Sequence, residues 1–338
     1  MAMEITTIRL VAVLYILFCL AAAGVILYLL VLVIKALRKY LSSKEVREEK
    51  QGIRRSLGEE LREHRLRCKM TQEFVAESLG LSAAALKFLA AALMVLDHIH
   101  QMFAAAGAPV GLTMAGRVVF PLFLFAAAES FYHTRSKKRY LQRLLFASWG
   151  MTLFTFVLQQ VLPNDDVVLM NNAFRTFFVA GLYMLFWDHL RDGVKKKAPK
   201  QVIQALLGCL IPVLCAFPLY LVALLSANES VPGSVIRLLA TAALLIPNLL
   251  VLEGGPAMAA LGVAFYILRG PRVLQITALV LLSVLVYLTG GGFQCLMGLA
   301  ALPIALYNGQ KGRGSKTFFY VFYPAHIGVL YLLSCLVL

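Results

Sequence analysis

The residues most able to do chemistry sit where a soluble protein would rarely place them. The run LKFLAAALMVLDHIHQMF sets Asp97, His98, His100 and Gln101 at the end of a long apolar stretch. Read as a helix, it puts Asp97, His100 and Gln101 on one face at i, i+3 and i+4, with His98 about a quarter-turn away. An ionisable group inside a membrane span costs at least about 2.5 kcal/mol, so those present usually face a polar interior and carry a task. Imidazole is the side chain that titrates near neutral pH, and a neighbouring carboxylate would orient it and set its tautomer. An acid/base pair of His98 and Asp97 is therefore the leading reading, with a structural polar cluster as the alternative. A metal site is not expected, because i, i+1 and i+3 ligands converge poorly and no H-E-x-x-H pattern is present.

Further polar residues fall in or beside other apolar runs. Arg117 and Glu129 bracket the second run, NNAFRTFF supplies Asn171, Asn172 and Arg175, and His326 lies in the last run beside Pro324. Arg117, Asn171, Asn172 and Arg175, together with His100 and His326, are candidates to stabilise an oxyanion or support the histidine. Two stretches, RSKKRYLQR at 135–143 and RDGVKKKAPK at 191–200, are strongly basic. Their cations, Arg135, Lys137, Lys138, Arg139 and Arg143, could hold phosphates by charge-assisted hydrogen bonds. The glycine-rich LYNGQKGRG loop adds Asn308 and Arg313 to that set, though a plain turn between two spans explains the loop as well.

The chain that must position these groups is a membrane protein. Of its 338 residues 60% are hydrophobic and 14% charged, and its mean hydropathy is +0.79; a soluble domain is about 25% charged. The expected fold is all-α and polytopic, with about 10–11 transmembrane helices. A first run, Ile8 to Leu37, reads as a signal anchor (domain 1–40) that ends in Lys35, Arg38, Lys39 and Lys44, which would place residue 39 onward in the cytoplasm. A polar helical segment (41–82) comes next, and a multi-span domain occupies 83–338. Expected spans lie near 84–105, 113–133, 144–162, 170–190, 202–226, 235–252, 255–268, 273–289, 292–307 and 318–338. The +15 charge excess then reports cytoplasmic loops, not a nucleic-acid partner. Ten simple crossings would nevertheless put Arg269 and Arg272 outside, and a broken helix around Pro247 to Pro256 would restore the sign. The six cysteines show no C-x-x-C spacing and read as buried thiols.

Two resemblances enter here. LREHRLRCKMTQEFVAESLGLS resembles the first two helices of Cro/C1-type helix-turn-helix regulators, but the chain then runs into membrane at Ala83 without a base-reading helix. LK-x-x-A-x-x-x-M-x-x-DHI, R-x-x-FPLF-x-F-x-x-A-E-x-F-x-x-T-R-S-x-x-x-Y-x-x-RL, LYNG and FYxFYPxH resemble the TraX family of membrane proteins, carried here by Leu86, Lys87, Asp97, His98, Arg117, Pro121, Glu129, Arg135, Tyr307, Asn308, Tyr323 and His326. The members with an assigned role acetylate the N-terminus of conjugative pilin. The first span is also similar to a wider group of transmembrane acyltransferases in which a membrane-embedded histidine handles the acyl group. The resemblance implies a multi-pass acetyltransferase of the bacterial plasma membrane, moving an acetyl group from cytoplasmic acetyl-CoA to an acceptor amine or hydroxyl. His98 would act as general base or be acetylated itself. The acceptor, whether a protein N-terminus, a glycan or a small molecule, is open, as is homo-oligomerisation. A proton-coupled transporter and a membrane-tethered regulator are the alternatives; the first would more naturally show inverted repeats.

Overall fold

The computed structural model describes residues 80–227, 231–312 and 316–338. The expected anchor, the polar segment up to residue 79, and Arg313 lie outside them. Among the described residues the fold is all-α, with helices α1 (Ala83–Phe103), α2 (Val110–Gly116), α3 (Val119–His133), α4 (Lys137–Val161), α5 (Ala173–Lys195), α6 (Pro199–Leu214), α7 (Phe217–Ser226), α8 (Gly233–Leu244), α9 (Gly255–Ile267), α10 (Arg272–Leu288), a 3₁₀ segment (Gly292–Ala300), α11 (Ala301–Ala305) and α12 (Lys316–Val337). Five helical stretches are long and apolar enough to cross a membrane: α1, α2 with α3, α4, α6 with α7, and α12. The protein is a multi-pass helical membrane protein.

Prolines set the interruptions. Pro121 near the start of α3 cannot donate a helical hydrogen bond, and the chain turns at Arg117 and Val118 just before it. Pro212 inside α6 and Pro218 at the start of α7 divide the expected 202–226 span at Cys215. The expected 235–252 span ends at Leu244, and an irregular stretch follows to Gly254. There Gly254 and Gly255 both adopt positive φ, +75° each, which a side chain would resist. The expected 292–307 span is a 3₁₀ segment joined to a five-residue helix.

The core centres on α3, whose Leu122, Leu124, Phe125 and Phe131 are fully buried. It packs against α1, α5, α9 and the 3₁₀ segment. Gly262 of α9 lets that helix approach Leu124 and Ala180 closely.

The irregular stretch resolves the crossing parity. Helices of 12 and 13 residues, α8 and α9, are about 18 and 20 Å long at 1.5 Å per residue. Each is shorter than the roughly 30 Å hydrocarbon core. Arg237 near the start of α8 lines a groove with Asn164 and Tyr331, and so lies at the end of the bundle where α4 finishes. Arg269, just after α9, stacks on Tyr132 at the end of α3. Helices α8 and α9 are therefore two halves of one broken crossing. Arg269 and Arg272 consequently fall at the same end as the basic 135–143 stretch.

A second tie fixes the other loop at that end. Leu81 and Tyr307 form an isolated parallel bridge, with Leu81 N–H donating to Leu306 O at 2.8 Å and Asn308 N–H to Leu81 O at 3.0 Å. Ala83 and Ala84 N–H donate to the carbonyls of Gln310 and Lys311, and Ser82 Oγ accepts from Ala85 N–H. The free donors of the α1 N-terminus are thereby satisfied.

Candidate functional site

The site is assembled in the half of α1 farther from that tie and at the middle of α12. His98 lies 15 residues into α1, about 22 Å along it, and is 3% exposed. Its Nδ1 is 2.7 Å from Nε2 of His326 on α12, with the rings stacked at 4.9 Å and 10°. His326 Nδ1 lies 2.7 Å from the carbonyl oxygen of Phe322, one turn earlier. On the far side of His98, Nε2 lies 3.4 Å from Asn171 Nδ2. Asn171 and Gln101 exchange two amide hydrogen bonds of 2.9 and 3.0 Å.

This network assigns the hydrogens. A carbonyl only accepts, so His326 Nδ1 carries a hydrogen and, in the neutral ring, its Nε2 accepts. His98 must then donate from Nδ1, which leaves a lone pair on Nε2. Asn171 agrees from the opposite end: one amide hydrogen goes to Gln101 Oε1, and the other points toward His98 Nε2. The arrangement has the form of the base and orienting pair of a catalytic triad, with a second histidine in the orienting position.

Asp97 does not orient His98. Its Oδ1 accepts from Arg117 Nη2 at 2.7 Å and from Thr113 Oγ1 at 2.7 Å. Residues adjacent on a helix diverge by about 100°, so Asp97 faces α2 while His98 faces α12. Arg117 Nη1 continues to Gln294 Oε1 at 3.0 Å, tying α1, α2 and the 3₁₀ segment. Gly116 makes this possible, because a Cβ there would overlap the Asp97 side chain. His100 Nδ1 is 3.1 Å from Ala108 O and closes the α1–α2 turn.

Asn172 and Arg175 are buried but serve the backbone. Asn172 caps α5 through Oδ1 to Arg175 N–H, and its amide donates to Ser148 O and Thr152 Oγ1. Arg175 donates to Leu244 O, Val251 O and Thr152 Oγ1, holding the break in the α8–α9 crossing. That break presents Glu253, which the sequence alone did not mark as a site residue. Its Oε2 accepts from Asn172 N–H at 2.8 Å and Tyr323 Oη at 3.0 Å, and Tyr323 Oη accepts from Ala173 N–H. A lone acid just before two glycines at an interrupted apolar run was the available signal.

The anion-binding candidates divide. Arg135, Lys138, Arg139 and Arg143 are exposed, and no carboxylate among the described residues pairs with them. Lys137 is engaged: its ammonium contacts Asp188, donates to Tyr266 Oη at 3.0 Å, and lies 5.0 Å over the Phe131 ring. Helix α4 begins at Lys137, so Lys137 to Arg143 form its first two turns and not a loop. Asn308 uses its side chain on Gly80 O and Gln310 N–H. The LYNG loop is thus the brace of the α1 N-terminus described above. Cys209, Cys215, Cys295 and Cys335 are free thiols, half-buried instead of buried. Among the described residues no His, Cys, Asp and Glu group converges as a metal site.

The family model described as TraX protein matches residues 82–334. The chain belongs to the TraX family. Over 74 residues it is also 36% identical to the protein named "Probable fimbrial assembly protein FimC, serogroup H1" of Dichelobacter nodosus, a stretch covering 21% of this chain and 30% of that protein. The chain thus spans under a third of that relative's length in the match. No solved structure matches. Every residue of the His98–His326 pair and its Asp97–Arg117 neighbour lies within the TraX match.

Proposed function

We propose that this TraX family member is a membrane-embedded acetyltransferase that takes the acetyl group of acetyl-CoA and passes it to an acceptor amine or hydroxyl. The observation that carries the reading is the lone pair left on His98 Nε2 by the His98–His326–Phe322 chain. In the reaction, His98 Nε2 takes the proton from the acceptor N–H or O–H as that atom attacks the thioester carbonyl carbon. His326 Nε2, accepting from His98 Nδ1, stabilises the imidazolium that forms. Asn171 Nδ2 is the donor placed to turn from His98 to the developing oxyanion. Collapse breaks the carbon–sulfur bond, and His98 returns its proton to the departing CoA thiolate, giving the acetylated acceptor and free CoA thiol. The atoms balance without an acyl-histidine.

Exposed Arg135, Lys138, Arg139 and Arg143 match the phosphates of CoA in charge. Positive loops mark the cytoplasmic side of a plasma membrane protein, and with α8 and α9 counted as one crossing every strongly basic segment of the 83–338 domain falls at one end. His98 then lies toward the opposite leaflet. Family membership and the name of the FimC relative support a fimbrial or pilus component as the acceptor. The test is to incubate purified protein in lipid nanodiscs with radiolabelled acetyl-CoA, and to follow label transfer and CoA thiol release with His98→Ala alongside. Absence of binding and turnover in the wild type, or full activity in His98→Ala, defeats the reading.

A further inference from the structure

Helices α4 and α8 leave a groove at the end of the bundle where α4 finishes. Trp149, Leu153, Phe156 and Gln160 recur at i, i+4, i+7 and i+11, which puts them on one stripe of α4. Trp149 Nε1 donates to Leu245 O, just past the end of α8, at 2.6 Å. At the other end of the stripe Phe156 and Gln160 line the groove with Arg237 and Thr241 of α8. The two helices therefore run antiparallel, along a seam of about 16 Å from Trp149 to Gln160. That is about half of the roughly 30 Å hydrocarbon core, the depth of one leaflet. The groove at its outer end has a volume of about 340 Å³, within the range of small-ligand sites. Its floor is fixed: Tyr331 Oη donates to Leu162 O at 2.7 Å, and Asn164 Nδ2 donates to Ser334 Oγ at 3.3 Å, pinning the chain after α4 to α12. Its rim is not. The Arg237 guanidinium and the Asp165 carboxylate both line the groove and are exposed, and neither pairs with a charge among the described residues.

We propose that the groove binds the headgroup of one bilayer glycerophospholipid that carries both a phosphate and a primary ammonium, with an acyl chain lying along the seam. Arg237 takes the phosphate and Asp165 the ammonium, each by a charge-assisted hydrogen bond. Three observations select that occupant. One unpaired cation and one unpaired anion on a single rim match the two charges of such a headgroup. A purely anionic headgroup would meet the carboxylate of Asp165 unfavourably, and a trimethylated one has no N–H to donate to it. The seam below the rim has the depth of a leaflet and is apolar, with Leu153 exposed and Phe156 half-buried along it, so chain and headgroup are served in the order in which a lipid presents them.

The test titrates delipidated full-length protein in detergent with phosphatidylethanolamine, phosphatidylglycerol and phosphatidylcholine of matched chains, and counts bound lipids by native mass spectrometry. The first phosphatidylethanolamine should bind about tenfold more tightly than either other lipid, the difference expected of one charge-assisted hydrogen bond. Arg237→Gln should weaken phosphatidylethanolamine by about tenfold, and Asp165→Asn should abolish its preference over phosphatidylglycerol. Both side chains are exposed, so the melting temperature of the lipid-free protein should not change in either variant. Equal affinity of the wild type for the three lipids overturns the proposal, as does an unchanged phosphatidylethanolamine affinity in both variants. Displacement of the bound lipid by excess O-phosphoethanolamine, which has the headgroup without the chains, also overturns it and gives the groove to a soluble zwitterion.

Discussion

The orienting role of His326 gives the sharpest prediction. His326→Phe preserves the ring and its stacking on Phe322 and His98, but deletes the acceptor for His98 Nδ1–H. The lost hydrogen bond is 2.7 Å long and sits where His98 is 3% exposed. With His98 neutral, the orphaned donor costs about 1–3 kcal/mol. In the transition state the ring is cationic, and a hydrogen bond to a charged group contributes about 1.5–3 kcal/mol, or roughly 10- to 150-fold in rate. The variant also releases the tautomer, and a serine protease whose orienting aspartate is made an amide loses about 10⁴ in kcat for that reason. The expected fall in kcat is therefore about 10²- to 10⁴-fold, with the KM for acetyl-CoA within about twofold because the ring and its stacking on Phe322 are kept. His326→Gln, which keeps a side-chain acceptor, should recover part of the rate. The assay is thiol release in nanodiscs with matched protein, with thermal unfolding checked in parallel. If His326→Phe folds normally and keeps wild-type kcat, the relay is refuted.

Three other outcomes follow from the same geometry. Asn171→Ala removes the donor facing His98 Nε2 and should lower kcat by about 10²- to 10³-fold without altering acetyl-CoA binding measured by calorimetry. Lys137→Met leaves Asp188 in a site where its side chain is 11% exposed; the loss of stability should be about 3 kcal/mol, the low end for a broken buried pair because Lys137 keeps some water contact. Adding Asp188→Leu should return most of the lost melting temperature, and no recovery would count against the pairing. Gly312→Ala forces a side chain into a φ of +68° and against Ser82 Oγ; a stability loss of about 2 kcal/mol, with faster amide exchange at Ala83 and Ala84, should be seen by hydrogen–deuterium exchange.

How much was legible beforehand differs by element. Spans with unbroken apolar runs, such as α1 and α12, agree with their expected limits to within a few residues. Disagreements concentrate at proline and glycine. A break around Pro247 to Pro256 was expected from the crossing parity, and the packing of 245–254 against Arg175 shows how it is held. Expecting Asp97 to orient His98 followed from adjacency along the chain, yet adjacent helical residues face different neighbours, and Arg117 is the partner that meets the carboxylate. Lys137 looked like its basic neighbours because charge alone does not reveal a buried Asp188 51 residues away.

By itself the sequence determined that this is a polytopic helical membrane protein, where most of its spans lie, and that His98 and His326 are ionisable groups inside them. Those conclusions need only composition and local periodicity, because the cost of burying charge in lipid is fixed by residue type. Tertiary structure alone decided that the two histidines, 228 residues apart, share one hydrogen bond, and that α8 and α9 form a single crossing. It also decided that the LYNG loop braces the start of the helix carrying His98. Each is a pairing between distant segments, and hydrogen-bond direction, tautomer and register exist only once those segments have packed.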